Sequence, residues 1–183
     1  MLFSQIKQYY LILLLLILSS CVKNTDFEQT DDFLLTPEVE LNLIYFNLDA
    51  SRFYDGIANN PILKVRDTTV VDFLDDTDIQ ELLKRVAFYF EFTNTIPRTF
   101  NVDFQFLNEG NVPTYTTNTE IESGSTGSPI QTIFMDNIED LELEQLMTSN
   151  KVVVSVTIHS SDQNLNGTLD LRSKTSYFVE IDE

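Results

Sequence analysis

Phe100, Val102, Phe104 and Phe106 alternate without a break with Asn101, Asp103 and Gln105. Successive side chains of a strand point to opposite faces, so this spacing makes one wholly apolar face and one wholly polar face. On a helix the same four apolar residues would scatter around the circumference. The segment therefore reads as a strand with one face in a core and the other in water. A chain whose clearest pattern is this one builds an antiparallel sheet and needs a second layer to cover the apolar side.

The same period recurs along most of the chain. Val39, Leu41, Leu43 and Tyr45 alternate with Glu40 and Asn42 and predict one strand. After an irregular stretch ending at Asn59-Asn60-Pro61, Ile62 to Val65 and Thr68 to Leu74 read as two more. Val86, Phe88, Phe90 and Phe92 share a face. The Asn108-Glu109-Gly110-Asn111 turn leads into a Thr-rich strand around Tyr115, and a flexible loop from Ser123 to Pro129 precedes a strand over Ile130 to Met135. Val152, Val154, Val156 and Ile158 make a strong late strand, followed by Thr168 to Leu171 and then by Tyr177, Val179 and Ile181. Two short helices interrupt the pattern. Thr77, with Gln80 three residues on, resembles a capping box leading into Leu82-Leu83-Lys84. Glu139 to Met147 is the second, with Asn150 able to close it in a left-handed conformation. No repeat period is evident. The expectation is an all-β fold: a two-sheet antiparallel β-sandwich of about eight strands, with one or two short helical insertions.

The amino terminus follows a different rule. Lys7 lies in a short polar start, Tyr9 to Leu18 is apolar, and Leu11 to Leu18 is wholly aliphatic. A membrane-crossing helix takes roughly 18 or more apolar residues, so this run is too short and suits the central region of an export signal. Leu18-Ser19-Ser20-Cys21 follows at once. An aliphatic residue, two small residues and a cysteine resemble the lipobox of bacterial lipoproteins. The resemblance covers residues 1–21 and implies that Cys21 receives a diacylglyceryl group and becomes the first residue of the mature chain. Stable anchoring takes at least two acyl chains, which that modification supplies. The chain then divides into a signal peptide at 1–20, a lipidated acidic tether at 21–37 and a β-sandwich domain at 38–183. Asp26, Glu28, Asp31 and Asp32 give the tether its charge. Val22-Lys23-Asn24-Thr25-Asp26 loosely resembles the surface-export signals of some diderm bacteria, which leaves a periplasmic and a surface-facing placement both open.

Charge narrows the partners. The formal net charge is −18, and loss of Lys7 with the signal makes the mature chain more negative still. Nucleic acid is disfavoured, because basic side chains must replace the counterions on phosphate. Electrostatic docking on anionic lipid is disfavoured for the same reason, leaving the acyl chains on Cys21 as the membrane attachment. Divalent cations, basic protein surfaces and neutral ligands remain. Cys21 is the sole cysteine, so no disulfide forms within the mature chain.

Catalytic machinery is hard to find. His159, the one histidine, ends a strong strand and has no cysteine to share a zinc ion with. No nucleophile elbow of the G-x-S-x-G kind surrounds a serine. Asp72, Asp75, Asp76 and Asp78 cluster at a turn and a helix start, where aspartate is favoured for capping. Sugar-binding platforms usually include tryptophan, which is absent; of Tyr45, Tyr54, Tyr89, Tyr115 and Tyr177 only Tyr54 falls clearly in a loop. One segment has metal-binding spacing. Asp162-Gln163-Asn164-Leu165-Asn166-Gly167 matches the front of a calcium loop, with Asp162, Asn164 and Asn166 as side-chain ligands, the Thr168 carbonyl next and Asp170 at the ninth position. Ser173 stands at the twelfth, where a bidentate Glu belongs. The other reading is a hairpin turn at Asn166-Gly167. Weakly bound calcium is thus the one cofactor in view.

These readings converge on a cell-envelope lipoprotein, anchored to a membrane, the outer one by expectation. It acts without catalysis as an accessory or structural subunit with an envelope protein as partner. The alternative is a surface module that binds a glycan or another ligand.

Overall fold

Two antiparallel sheets of four strands each form the body of the computed structural model, which describes residues 36–71 and 77–181, with side chains from residue 80 onward in the second stretch. Cys21, the tether up to residue 35 and the Asp72, Asp75 and Asp76 cluster lie outside the described residues, as does the side chain of Asp78. In chain order the elements are β1 (Glu38–Asp49), a 3-10 turn (Ala50–Phe53), β2 (Tyr54–Asp55), β3 (Asn60–Pro61), β4 (Lys64–Val70) and α1 (Thr77–Leu82). They continue with β5 (Leu83–Asn94), β6 (Phe100–Leu107), β7 (Pro113–Ile121), β8 (Ile130–Ile138), α2 (Asp140–Leu146), β9 (Lys151–Ile158) and β10 (Thr168–Val179). One sheet has the order β1-β10-β5-β8 and the other β4-β9-β6-β7; β2 and β3 make a separate two-residue hairpin. The fold is the all-β sandwich that the alternation predicts.

The core is a stack of aromatic rings between the two sheets. Phe88, Phe90 and Phe92 face inward from β5, and Phe100, Val102, Phe104 and Phe106 from β6, all fully or almost fully buried. Phe90 stacks on Phe104 with centroids 4.1 Å apart, and Phe88 on Phe106 at 4.9 Å. Rings at these separations contribute about 0.5–1.5 kcal/mol per pair beyond the area they bury. Val152, Val154, Val156 and Ile158 of β9 and Leu169, Leu171 and Tyr177 of β10 complete the layer. Burial pushes the Tyr177 phenol up to about 12.

Most connections cross from one sheet to the other, and one side chain ties two of them, the β5–β6 and β7–β8 links, together. Asn94, fully buried at the end of β5, donates from Nδ2 to the carbonyls of Arg98 (2.9 Å) and Glu122 (2.7 Å) and accepts the Ile96 amide at Oδ1 (2.8 Å). Gly124 runs so close above that a Cβ there would lie 1.9 Å from the Asn94 carbonyl oxygen. Beyond it, Ser125 and Ser128 exchange backbone hydrogen bonds at 3.1 Å, so the loop expected to be flexible is a closed turn.

The two edges of the sandwich differ. At the β7/β8 edge, Tyr115 Oη donates to Asp136 Oδ2 at 2.6 Å, and α2 packs its buried Leu143 and Leu146. Burial, and then the bond to Asp136, hold the Tyr115 phenol well above the ordinary range. At the β1/β4 edge a cleft stays open.

Several expectations need correction. In β1 the pairing with β10 shifts between Asn42 and Tyr45, so Leu43 and Ile44 together oppose Ser173. Such a bulge leaves backbone groups without ladder partners. The buried Ser173 hydroxyl supplies them, accepting from Ile44 N–H and donating to Ile44 C=O, both at 2.9 Å. Ile44 therefore takes the buried place and Tyr45 turns outward. Residues 62–74 contain one described strand, β4, rather than two, and the carboxyl-terminal pair of strands is one strand of 12 residues. Gln80 Nε2 donates to the Met147 carbonyl at 3.0 Å, which ties α1 to the end of α2, while the Thr77 side chain of the expected capping box lies outside the described residues. Asn150 has no left-handed backbone, and its amide donates to Leu107 O instead. The left-handed positions fall at Asn59, Asn111, Asp140 and Gly167, with Asn111 closing the β6–β7 turn.

Candidate functional site

The outer face of the β1-β10-β5-β8 sheet carries exposed apolar side chains that the sequence pattern does not reveal. Register places Tyr45, Arg172, Glu91 and Ile133 in one row across the four strands, and Asn42, Lys174, Tyr89 and Met135 in the next. Strands lie 4.7–4.9 Å apart, so each row spans about 14 Å. Tyr45 is 58% exposed, Ile133 50% and Met135 66%. β8 can hold Ile133 and Met135 there because its inner positions, Phe134 and Ile138, already serve the core. The alternation in Ile130 to Met135 gives no signal of this, since both of its faces carry apolar residues.

Charges frame the patch and cover its other rings. Lys174 pairs with Glu40, and its ammonium stands 5.9 Å from the Tyr89 ring centroid. The hydrogen bond from Lys174, and then its charge, lower the Glu40 carboxyl. Partial burial and the 3.2 Å bond to Glu91 raise the Tyr89 phenol. Arg85 lies 3.7 Å over the Phe178 ring and 3.7 Å from the Glu139 carboxylate. Tyr89 and Phe178 thus have cations above their faces, while Tyr45 is open to solvent.

Three of the five proposed calcium ligands, Asp162, Asp170 and the Thr168 carbonyl, already have partners within the protein. Asp162 pairs with Arg98 at 3.2 Å through Oδ2 and accepts the Asn164 amide through Oδ1. Asp170 accepts from Asn47 and from Thr168 Oγ1. The Thr168 carbonyl accepts from both Thr95 N–H (2.9 Å) and Thr95 Oγ1 (3.1 Å). Asn166 is exposed and lies past the turn that the Leu165 amide closes on the Asp162 carbonyl at 3.1 Å. No trio of His, Cys, Asp or Glu able to hold a metal occurs among the described residues. The hairpin alternative is also corrected: β9 and β10 belong to different sheets, so Asn166-Gly167 lies on a crossover, with the Gly167 carbonyl accepting the Ala50 amide. Calcium at Asp162 has to compete with Arg98 for Oδ2. The expected outcome is therefore a melting temperature that is the same in millimolar calcium chloride and in sodium chloride of equal ionic strength. A calcium-specific rise that disappears in Asp162→Ala would assign a metal to the loop.

His159 lies exposed just past β9, and Tyr54 donates to Asn59 at 2.6 Å in the small hairpin; neither joins a cluster among the described residues. Among the carboxylates, Glu40, Asp49 and Asp55 are all shifted downward, the last two by hydrogen bonds in their own turns. No described helix is long and apolar enough to cross a membrane.

No family model and no curated protein matches the chain. Solved structures resemble it in part. A Parabacteroides distasonis protein provisionally named as secreted aligns over 62% of this chain and 38% of its own, at 15% identity and a TM-score of 0.45. The VP2 subviral particle of infectious bursal disease virus aligns over 81% of this chain and 33% of its own, at 6% identity and a TM-score of 0.48. The enzymatically active domain of tailspike protein 4 of bacteriophage CBA120 aligns over 78% and 19%, at 10% identity and a TM-score of 0.40. The chain spans less than half the length of each of these structures.

Proposed function

We propose that this protein is a cell-envelope lipoprotein, held through lipid on Cys21 to the outer membrane, that acts by contact as an accessory or structural subunit. The observation that carries the contact reading is the outward row and its neighbour, with Tyr45, Ile133 and Met135 exposed on a chain whose net charge is −18. A strongly acidic surface keeps such a domain soluble, so an apolar group on one sheet face is the feature that needs a partner. A protein suits this face better than a sugar. Stacking on pyranose rings takes open aromatic faces, and cations lie over Tyr89 and Phe178. Glycan binding remains the second reading because Tyr45 presents an uncovered ring. Glu40, Asp49 and Asp55 are held downward, whereas a general acid needs a raised carboxyl.

The anchor and the surface are tested in one strain. Cys21→Ser should accumulate as an uncleaved precursor that takes up no labelled palmitate; labelled mutant protein would sink the anchor assignment. A photoreactive residue at Ile133 should crosslink to one envelope protein in intact cells, and Tyr45→Ser with Met135→Glu should abolish that adduct. The same adduct yield in the double variant would remove the face from the proposal. Retention on a glycan array that depends on Tyr45 alone would favour the second reading.

A further inference from the structure

Among the described strands each four-stranded sheet has two edge strands, and three of these four edges are blunted. β1 is broken by its bulge and carries Glu38, Glu40 and Asp49. β4 is seven residues long and charged at Lys64, Arg66 and Asp67. β7 starts on Pro113, shifts register against Leu107 and carries Glu120. Charges, prolines and bulges are the means by which proteins keep an edge from pairing with another chain. β8 has no such break. Its nine residues, Ile130–Ile138, keep one register with β5 and include no proline and no basic residue. Their one charge, Asp136, faces the interior and accepts from Tyr115. Thr95 N–H donates to the Thr168 carbonyl, so the odd-numbered residues of β5 turn their backbone groups toward β10 and the even-numbered ones toward β8. By the same alternation the even-numbered residues of β8 bond to β5, and the amides and carbonyls of Gln131, Ile133, Met135 and Asn137 point out of the sheet edge. No hydrogen-bond partner meets these groups among the described residues, and the four side chains are exposed on the outer face.

We propose that the free edge of β8 pairs antiparallel with β8 of a second copy of this chain, about a two-fold axis at Phe134, joining two four-stranded sheets into one. The inference rests on the reading of the outer face as a contact surface and names the occupant of its β8 side. In this register the strand is complementary to itself. Ile133 stands opposite the partner's Met135, Gln131 opposite the partner's Asn137, Thr132 opposite the partner's Asp136 and Ile130 opposite the partner's Ile138. All nine residues are paired, and the residues with free backbone groups fall at the hydrogen-bonded pairs. Exposed apolar side chains cover one another, amide meets amide, and the one carboxylate meets a hydroxyl, as favourable cross-strand pairs require. An axis at Ile133 would set Asp136 against Ile130, and one at Met135 would set it against Phe134; both would leave an end of the strand unpaired. A chain of net charge −18 repels its own copy over most of its surface, whereas this edge carries a single charge. The contact is isologous and closes at two copies, because the far edge of the same sheet is the bulged β1. Tyr45, on that far edge, stays free for another partner.

The full-length chain purified in detergent tests it, with the protein mass per micelle read by light scattering after subtraction of the detergent. Two copies per micelle are expected for wild type. Ile133→Lys with Met135→Lys sets lysine against lysine across the axis and should give one copy. Ile133→Lys with Met135→Glu sets opposite charges at the same positions and should restore two. Both side chains are exposed, so the two double variants should melt as wild type does. Ile133→Pro deletes an N–H on the free edge alone, which an edge strand tolerates, and should also give one copy. In intact cells a photoreactive residue at Ile133 should yield an adduct of twice the chain's mass, mapped to the partner's Met135. One copy per micelle for wild type, two in the double-lysine variant, or one in the lysine–glutamate variant would overturn the pairing. A monomeric chain whose Ile133 crosslinks to a different envelope protein would overturn it too and leave the contact reading standing. A dimer whose Tyr45 crosslinks to no other protein would uphold the pairing and remove the accessory-subunit reading.

Discussion

Phe104→Ala is expected to destabilise the fold by about 3–5 kcal/mol, the range for removing a buried ring. Phe104 is fully buried, with Phe90 stacked 4.1 Å away and Phe92 tilted at 6.5 Å. Deleting the ring opens a void against both sheets at once, and these two central strands cannot move together without disturbing the Phe88–Phe106 stack beside them. Asp103, one residue earlier, points out of the other face between Ser155 and Asn118. Asp103→Ala should stay within about 0.5 kcal/mol, as substitutions at plain surface sites do. Since whole domains are stable by about 5–15 kcal/mol, the first change removes a large share of the total and the second almost none. Urea titration of the two variants at constant m-value decides it; equal losses would reject the register of β6.

Asn94→Leu should be comparably severe for the opposite reason. The branching and the number of side-chain heavy atoms are kept, but three backbone groups are left without their partner: the Ile96 amide and the carbonyls of Arg98 and Glu122. A buried polar group left unmade costs about 1–3 kcal/mol, so a loss of at least about 3 kcal/mol is expected. The damage should also have an address. Glu122 begins the link from β7 to β8, so a protease should cut the variant between Ser123 and Pro129 before any other site. Gly124 shares this dependence, because any side chain there runs into the Asn94 backbone. A variant as stable as wild type, or one cut first elsewhere, would show that Asn94 does not hold the connections together.

Where one side chain type dominates a face, the fold is legible in the sequence. Val86 to Phe92, Phe100 to Phe106 and Val152 to Ile158 sit inward as their alternation requires, because a strand with a single apolar face has one orientation that avoids burying polar groups. Legibility fails where tertiary structure decides. Nothing local reveals that Leu43 and Ile44 share one partner, since the bulge depends on a serine 129 positions away. Pattern alone divides β4 and β10 too early, because threonine and serine suit turns as well as strands. Here both sit in ladder positions, and Ser173 and Thr175 are buried there. The outer patch is hidden for a related reason: whether Ile133 or Phe134 belongs to the core depends on which neighbour strand β8 joins. The calcium reading rests on spacing alone, and spacing carries no record of Arg98 or Thr95 arriving from elsewhere in the chain.

The bulge in β1 reverses the parity of the strand. Ahead of it the odd-numbered Val39 and Leu41, though exposed, are in register with the inward Tyr177 and Thr175, and Leu43 packs on the core; beyond it the even-numbered Ile44, Phe46 and Leu48 face the interior. Tyr45, Asn47 and Asp49 owe their outward position to that reversal. Without it the second half of the strand would turn two polar groups into an apolar interlayer. The identity of this surface is therefore written in the length of a segment as much as in its composition. Between Leu43 and Asp49 the chain should accept exchanges of residue more readily than insertion or deletion of one.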